Sequence, residues 1–414
     1  MTTWTPRLIE PHELDAVVDV TSVGFGVGPV GPPDYRREVR LVTEVDRTFV
    51  VSDGDRMVGT CGALSLRVAV PGGSLPLAGV TNAAVLPTHR RRGVLSALLE
   101  AVHDQGVARG EPVAGLTASE GGIYRRFGYG VATRFQSVTI DATRFTEVAG
   151  VAPGPRPGGG VRLVTEDEAV AVLPAVWDRH WRRVPGEVEL TPGMWQVRAL
   201  DVEHHRAGSS GRFIAVHDDA GGRPDGFLVY RITQGFGPGG TRHELTVESL
   251  AAADDAVEAA LLRFARDVDL VTTIRWRAPT DLPLRWRLTD PRALEVSAER
   301  DLVWLRPLDV AACLGARTYA VESALVVEVV DAGRAATGGR FRLDGGPDGA
   351  ACAPTGAEPD VVVRTPDLGA LLLGGVTWAT LARAGLVDER TKGAVSRADA
   401  LFRPARAPWC ATDF

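Results

Sequence analysis

Lysine is almost absent from this sequence: of 46 basic residues among 414, only Lys392 is a lysine and the rest are arginines. The formal net charge is −6, so the chain lacks the basic surplus that draws proteins to nucleic acids or acidic membranes. Cysteine is scarce as well, with four widely spaced residues, which excludes a disulfide scaffold. The composition, 45% hydrophobic and 24% charged, is typical of a globular protein rather than a disordered one.

Metal sites and membrane segments find no support in the sequence either. The eight histidines all lie at or before His243, and no spacing with cysteine suggests a tetrahedral ligand set, so we expect no metal. The N-terminus lacks the basic and apolar regions of a secretory signal. The longest uncharged stretch, 68–88, contains three prolines, unlike a membrane-spanning helix of about 20 apolar residues. We therefore expect a soluble, cytoplasmic protein with no nucleic-acid or membrane partner.

The length predicts two to four domains at roughly 100–200 residues each. In the segment 150–160, eight of eleven residues are glycine or proline, so neither a helix nor a strand is expected to pass through it. A second, softer boundary lies near 295–305, where a charged stretch leads into a new strand. We therefore predict domains at 1–149, 161–298 and 299–414.

Alternating helix and strand patterns predict an α/β (α+β) fold with a parallel strand pair near the N-terminus. Asp53-Gly54 separates two apolar runs and indicates a hairpin. The predicted strands are 48–52, 57–70, 79–86, 113–116, 213–216, 226–232, 244–249, 302–305, 324–330, 339–343 and 360–364, and the predicted helices 92–107, 123–127, 254–267 and 367–373.

The most informative local pattern is the junction 85–99, where a strand ends, a proline follows and three arginines precede Gly93 at a helix start. The first turn of a helix presents unpaired N–H groups and a partial positive charge, which suit a pyrophosphate. Glycine allows the backbone to approach such a ligand closely, and arginines add fixed donors. The same spacing also fits a solvated basic turn before a helix, so the pattern alone leaves both interpretations open.

Two blocks of sequence resemble a known family. The loop 90–95, RRRGVL, is similar to the R-x-x-G-x-G/A/L loop with which GNAT-superfamily N-acetyltransferases grip the pyrophosphate of acetyl-coenzyme A. The block 116–130, LTASEGGIYRRFGYG, closely resembles one in the Eis (enhanced intracellular survival) acetyltransferases of actinobacteria. The resemblance spans the whole chain, strongest over 79–132. It implies two GNAT-like mixed-sheet domains, the second degenerate, followed by a sterol-carrier-protein-like α+β domain.

The resemblance also implies roles for individual residues. Tyr124 would be the general acid and the α-carboxylate of Phe414 the general base. A structural alternative exists for each, since a tyrosine near glycine turns often only packs and chain ends commonly fray. Acetyl-CoA would be held by the backbone of Ala83, Ala84 and Val85 along the pantetheine, by Arg91, Arg92, Gly93, Val94, Leu95 and Ser96 at the pyrophosphate, and by Ser119 and Glu120 near the thioester.

Acetyl transfer needs a neutral amine, a polarised thioester carbonyl and a protonated leaving thiolate. A phenol with an ordinary pKa near 10 is a plausible donor, and such acid–base assistance contributes roughly 10²–10⁴-fold. A terminal carboxylate, with a pKa of about 3.3–3.7, is ionised at pH 7 and would draw the amine proton through water. No metal is required.

The acceptor side departs from the family pattern. Phe25 and Tyr35 could form aromatic walls and Asp413 could add a negative charge, but Val27 lies about where an acidic residue is expected, which would weaken binding of a polycationic sugar. We expect an N-acetyltransferase for a small amine, aminoglycoside-like or another polyamine, acting by direct transfer in a ternary complex. A homo-oligomer, a hexamer, is expected by resemblance. The alternatives are a protein lysine acetyltransferase and a non-enzymatic CoA- or lipid-binding protein.

Overall fold

The computed structural model of the chain describes residues 4–150 and 159–414; the predicted glycine- and proline-rich linker lies mostly outside them. The first part of the chain alternates helices and long strands, as its sequence pattern predicts. Its elements are β1 (Arg7–Leu8), α1 (Leu14–Phe25), α2 (Pro33–Val42), β2 (Thr48–Asp53), β3 (Arg56–Val70), β4 (Gly73–Val85), α3 (Val94–Ala108), β5 (Val113–Thr117), α4 (Gly121–Tyr124), β6 (Gly130–Val131) and β7 (Arg134–Asp141).

The first helix of the middle part is capped by the Thr165 side chain, which accepts a hydrogen bond from the N–H of Glu168. Its elements are β8 (Gly160–Leu163), α5 (Glu166–Trp181), α6 (Pro192–Ala199), α7 (Glu203–Arg206), β9 (Phe213–Asp218), β10 (Pro224–Thr233), β11 (Phe236–Gly237), β12 (Gly240–Thr241), β13 (His243–Ala252), α8 (Asp255–Arg266), β14 (Val271–Pro279), α9 (Leu284–Arg287) and β15 (Leu294–Asp301).

The last part is a small α+β unit, as predicted. Its elements are β16 (Val303–Pro307), α10 (Val310–Gly315), β17 (Ser323–Val330), β18 (Gly339–Gly346), β19 (Gly349–Pro354), β20 (Val361–Arg364), α11 (Thr365–Leu371), α12 (Trp378–Arg383), β21 (Val387–Glu389) and α13 (Ala394–Phe402). Its core is filled with side chains: the buried Arg317 guanidinium lies 4.6 Å from the ring of Tyr319 and 4.8 Å from that of Phe402.

Three main sheets organise the described chain. The first runs β1-β2-β3-β4-β5-β16-β6, the second β15-β7-β14-β13-β10-β9-β8 and the third β19-β18-β17-β20-β21. The predicted hairpin β2–β3 is antiparallel, and the predicted parallel pair is β4–β5. The second sheet repeats this design with a parallel pair β13–β14. The fold is therefore two mixed-sheet domains followed by a third α+β domain.

The sheets do not divide at residues 149 and 298, the boundaries expected from sequence. Strand β7 pairs with β14 and β15 in the second sheet, whereas β16 pairs with β5 and β6 in the first. The chain thus crosses between the sheets twice. The apolar pattern predicts a strand at 302–305, which overlaps β16, but it predicts none at β7. The partners of both strands are set by long-range pairing that the pattern does not encode.

Neither a membrane-spanning helix nor a cluster of metal ligands is present in residues 4–150 and 159–414. No helix in these ranges is both long and apolar enough to cross a bilayer. The same ranges contain no group of three or more histidine, cysteine, aspartate or glutamate residues arranged to hold a metal ion.

Candidate active site

Strands β4 and β5 pair over three residues and then separate. Their parallel register runs from Leu77–Val113 to Gly79–Gly115, although β4 continues to Val85. On its other side β4 contains a bulge: Thr81 and Ala84 have Cα partners in β3, whereas, within the described chain, Asn82 and Ala83 have none in either neighbour. Asn82 has a left-handed φ of 51°. The bulge and the strand separation leave main-chain groups of β4 without a sheet partner beside a gap.

The start of α3 is an open anion-binding turn. Gly93 precedes the helix with φ 87° and no side-chain cap, and the first N–H bonded within the helix is that of Ala97, to the Gly93 oxygen. The earlier N–H groups of the turn are therefore available to a ligand. Trp4 braces the loop, because its indole N–H donates to the Arg92 oxygen at 2.7 Å and the Arg92 guanidinium lies 5.5 Å from the indole ring.

Tyr124 ends the short helix α4 and is 6% exposed. Burial, with Cys61 and Glu120 nearby, raises the pKa of Tyr124 to about 12. Its ring lies edge-on to that of Tyr129, at 6.2 Å between centroids. The Tyr129 hydroxyl is in turn 2.7 Å from Nε2 of the buried His103. Tyr124 therefore stays protonated at neutral pH in an aromatic wall of fixed geometry.

The last residue of the sequence lies beside the gap between β4 and β5. The Thr117 hydroxyl, at the end of β5, donates a hydrogen bond of 3.0 Å to the main-chain oxygen of Phe414. Ser119 and Glu120 follow on the loop between β5 and α4. Phe414 thus lies beside the end of β5, from which this loop leads to Tyr124.

Buried contacts hold the C-terminal tail in this position. The Glu187 carboxylate accepts hydrogen bonds from the Ala411 N–H at 2.7 Å and the Cys410 thiol at 3.2 Å. Arg198 donates to the Thr412 hydroxyl at 3.0 Å. Because Glu187 is fully buried, its acceptor oxygens depend on these donors. The tail is therefore a fitted part of the domain structure rather than a frayed end.

The three residues that the sequence analysis assigned to the acceptor side lie in different environments. Phe25 ends α1 and is half-exposed, and its neighbour Gly24 packs against Ala84 on β4, so it lies near the gap. Tyr35 lies on α2 against the loop at Gly31, and burial raises its pKa to about 12. The charge of Asp413 is already neutralised by Arg277, which donates to its carboxylate at 3.0 and 3.2 Å.

A cavity of about 970 Å³ lies beside the tail in the second domain. It occupies the place where β13 and β14 separate, since their parallel register ends at Val247–Trp276 and the following residues of both strands line the cavity. It is thus the counterpart, in the second sheet, of the gap in the first. The aromatic side chains of its wall are Trp177, Trp181, Trp195, Phe227, Trp276 and Trp409.

Most charges around this cavity are compensated. Asp201 pairs with Arg231 at 2.7 Å, and Glu248 pairs with Arg212 at 2.7 Å. Within the described residues, two carboxylates of the wall, Glu166 and Glu189, form no ion pair. The cavity therefore combines apolar aromatic walls with two carboxylates whose charge is not compensated by an ion pair within the described chain.

Comparison with known proteins agrees with this architecture. Family models for an acetyltransferase (GNAT) domain match residues 5–132 and 186–306, and a sterol carrier protein domain matches 310–411. The N-acetyltransferase Eis of Mycobacterium bovis is 35% identical over 89% of this chain and 90% of its own. The chain belongs to the Eis family of N-acetyltransferases. An uncharacterized N-acetyltransferase of Streptomyces avermitilis is 38% identical over 97% of this chain and 98% of its own.

The crystal structure of Eis1 from Mycobacterium abscessus has the same overall fold, with 32% identity, a TM-score of 0.85 and full coverage of both chains. The resemblance read from the motif blocks is therefore confirmed, as is the prediction of two GNAT domains followed by a sterol-carrier-like domain. This Eis-family chain is an acetyl-CoA-dependent N-acetyltransferase.

Several residues of the site were not identified from sequence. Thr117, Asn82, Glu187 and Arg277 act through long-range contacts or a local bulge, which no spacing rule signals. The tryptophan cavity left a weak signal: Trp177 and Trp181 are four apart on one helix and Trp195 follows closely. Such a pattern is more often a helix core face than a binding wall, and here the same side chains pack in the core and line the cavity.

Proposed function

We propose that this Eis-family enzyme transfers the acetyl group of acetyl-CoA to a primary amine of a small molecule, by direct attack in a ternary complex. The position of the C-terminal tail is the observation that supports this proposal most strongly. The tail places Phe414 against Thr117, at the mouth of the β4–β5 gap, and its preceding residues line the aromatic cavity. The tail thus links the proposed donor gap to the proposed acceptor cavity.

The residues of the first domain fit acetyl-CoA. The bulged backbone at Ala83, with Ala84 and Val85, would bond the pantetheine. The open turn after Gly93, formed by Val94, Leu95 and Ser96, would hold the diphosphate with Arg91 and Arg92, which are exposed on the same loop. Ser119 and Glu120 would flank the thioester end.

Tyr124 is proposed as the general acid. As the nitrogen–carbon bond forms and the carbon–sulfur bond breaks, negative charge gathers on sulfur, which a buried phenol can meet with a hydrogen bond. With its pKa at about 12, above the ordinary value assumed from sequence, the phenol is a weak acid. A thiol has a pKa of about 8.5, so transfer of the proton from this phenol to the thiolate is unfavourable. Tyr124 therefore stabilises the departing sulfur by donating a hydrogen bond, and the thiolate of CoA takes its proton from water.

The carboxylate of Phe414 is proposed as the group that takes the amine proton. A weakly basic carboxylate assists chiefly by stabilising the ammonium that forms on attack and by relaying its proton through water. Thr117 orients it by donating to one oxygen.

Direct transfer is favoured over an acetylated enzyme. Cys61 is the thiol that lies near Tyr124, and burial raises its pKa to about 12. A thiolate is the nucleophilic form of cysteine, so a fully buried thiol of this kind is a poor candidate for carrying an acetyl group.

The cavity favours a compact amine with an aromatic or aliphatic body. Its volume of about 970 Å³ matches a small-molecule site, which supports a free amine over a lysine on a protein surface. Because Asp413 is paired with Arg277, the wall carboxylates that lack an ion pair within the described chain are Glu166 and Glu189, fewer than a polycation with several ammonium groups would engage. A polyamine or aminoglycoside therefore remains the comparison substrate rather than the preferred one.

The deciding experiment is amine-dependent release of CoA, measured with acetyl-CoA and a panel of amines on a chain that ends at Phe414. Turnover with a small amine is expected. Turnover confined to lysine peptides would support a protein acetyltransferase instead. Tight CoA binding with no turnover on any amine would support the non-enzymatic alternative, although the side-chain-filled core around Arg317 does not favour a lipid carrier.

A further inference from the structure

A second cavity, of about 800 Å³, lies between the first and third domains. On one side it follows α3 from Ser96 to His103, a distance of roughly 10 Å along the helix axis. On the other it is closed by the turn after β17 and by the junction of β20 with α11. Ser96 belongs both to this cavity and to the proposed diphosphate turn, so the two sites are continuous.

Arginines dominate the wall of this cavity. Three of them are ion-paired: Arg125 with Asp367 at 2.8 Å, Arg306 with Asp331 at 2.7 Å and Arg334 with Asp104 at 2.5 Å. The other two are Arg126 and Arg364.

The charge of Arg126 and Arg364 is not compensated by an ion pair. Neither forms one within residues 4–150 and 159–414, and both are exposed. Arg126 comes from the first domain, where its guanidinium lies 4.7 Å from the Phe127 ring, and Arg364 comes from the third. Glu100, also at the cavity, is exposed on α3, so the two arginines leave the cavity with a net positive charge.

The uncompensated guanidinium groups of Arg126 and Arg364 indicate the class of ligand. A phosphomonoester is doubly charged and carries three acceptor oxygens, which match the charge and the N–H donors of these two groups.

We propose that this interdomain cavity binds the 3′-phosphate on the ribose of coenzyme A, held by Arg126 and Arg364. The inference rests on the proposed binding of the donor diphosphate at Gly93, because in coenzyme A a single ribose separates the diphosphate from the 3′-phosphate. The cavity begins at Ser96, three residues into the same helix. The third domain thus supplies a donor-binding residue in addition to the tail.

The test compares two ligands that differ only in this phosphate. Dissociation constants of CoA and 3′-dephospho-CoA are measured by calorimetry on the full chain, for wild type, Arg364→Ala and Arg126→Ala. The wild type should bind CoA about 10-fold or more tightly than the dephospho form. Each substitution should weaken CoA binding about 3- to 10-fold and leave dephospho-CoA binding unchanged.

The control is Arg383→Ala, an exposed arginine on α12 of the same domain, which should bind both ligands like the wild type. Competition with adenosine 3′,5′-bisphosphate and with inorganic phosphate separates the coenzyme from free phosphate as the occupant, and the bisphosphate should compete far better. Equal weakening of both ligands in Arg364→Ala, or no preference for CoA in the wild type, would overturn the inference while leaving the proposed reaction intact. Failure of the wild type to bind either ligand would instead overturn the proposed donor site itself.

Discussion

Oε2 of Glu187 lies 2.7 Å from the main-chain nitrogen of Ala411. The contact joins a buried carboxylate before α6 to the tail three residues ahead of Phe414, and the other oxygen of Glu187 accepts from the N–H of Val188 at 3.1 Å. A reacting group displaced by about 1 Å can lose 10²-fold in rate. The Glu187–Ala411 bond is therefore a positioning contact for the proposed base.

Glu187→Gln tests this contact. It replaces one acceptor oxygen by an N–H₂ donor, so that either Ala411 or Val188 faces a second donor. We expect turnover to fall about 10-fold or more with little change in the KM for acetyl-CoA, measured by steady-state kinetics. Glu111→Gln, at a buried glutamate that pairs with Arg47 rather than with the tail, is the control and should keep wild-type turnover. Extending the chain beyond Phe414 should reproduce the loss, and wild-type rates in both variants would remove the tail from the mechanism.

Tyr124→Phe removes the hydroxyl while keeping the ring against Tyr129. Turnover should fall by roughly 10²–10⁴, whereas the dissociation constant for acetyl-CoA, measured by calorimetry, should stay the same. Tyr230→Phe is the matched control, since Tyr230 is also buried but lies in the second domain. Unchanged turnover in Tyr124→Phe would leave Tyr124 with a packing role only.

The pH profile depends on the same group. A general acid acts in its protonated form, which for Tyr124 persists up to its pKa of about 12. The rate should therefore rise with pH as the acceptor amine loses its proton, and should not fall at or below about pH 10, where an ordinary tyrosine is half ionised. The measurement is kcat/KM from about pH 6 to 10. A falling limb in that range that disappears in Tyr124→Phe would contradict the environment described for this phenol.

Gly93→Ala tests the donor turn. At φ 87° an alanine is strained by about 1–2 kcal/mol, so the turn should relax and the N–H groups of Val94 to Ser96 should lose their alignment. The KM for acetyl-CoA should rise several-fold. Gly110→Ala imposes similar strain at φ 73° in open space at the other end of α3, and should affect stability alone. Equal donor affinity in the two variants would place the diphosphate elsewhere.

The sequence was most informative where function depends on local chain geometry. A glycine before an amphipathic helix, with arginines ahead of it, predicts an anion-binding turn because the helix start itself supplies the N–H groups, and α3 begins at Val94 as that pattern requires. Strand and helix positions around it follow from apolar periodicity in the same way.

The parts that escaped prediction depend on contacts between distant segments. Nothing local in the sequence indicates that β7 pairs in the second sheet or that β16 pairs in the first. Arg277 forms an ion pair with Asp413, 136 residues away in the sequence. The negative charge of Asp413, which the sequence analysis assigned to substrate binding, is therefore compensated within the protein. Burial likewise raises the pKa of Tyr124 to about 12, above the ordinary tyrosine value that was assumed from the sequence.

The acceptor preference follows from the tryptophan wall and is tested at Trp195. Its ring lines the cavity and packs edge-on against Trp177 at 6.5 Å, so Trp195→Ala removes contact area that an aromatic amine would cover. We expect the KM for an arylalkyl monoamine to rise roughly 10-fold with the KM for acetyl-CoA unchanged. Trp286→Ala, at a tryptophan that is 82% exposed, should change neither. In the wild type, kcat/KM should be higher for the arylalkyl monoamine than for a linear polyamine or an aminoglycoside. A preference for the polycations, unaffected by Trp195→Ala, would show that the unpaired Glu166 and Glu189, rather than the aromatic wall, select the acceptor.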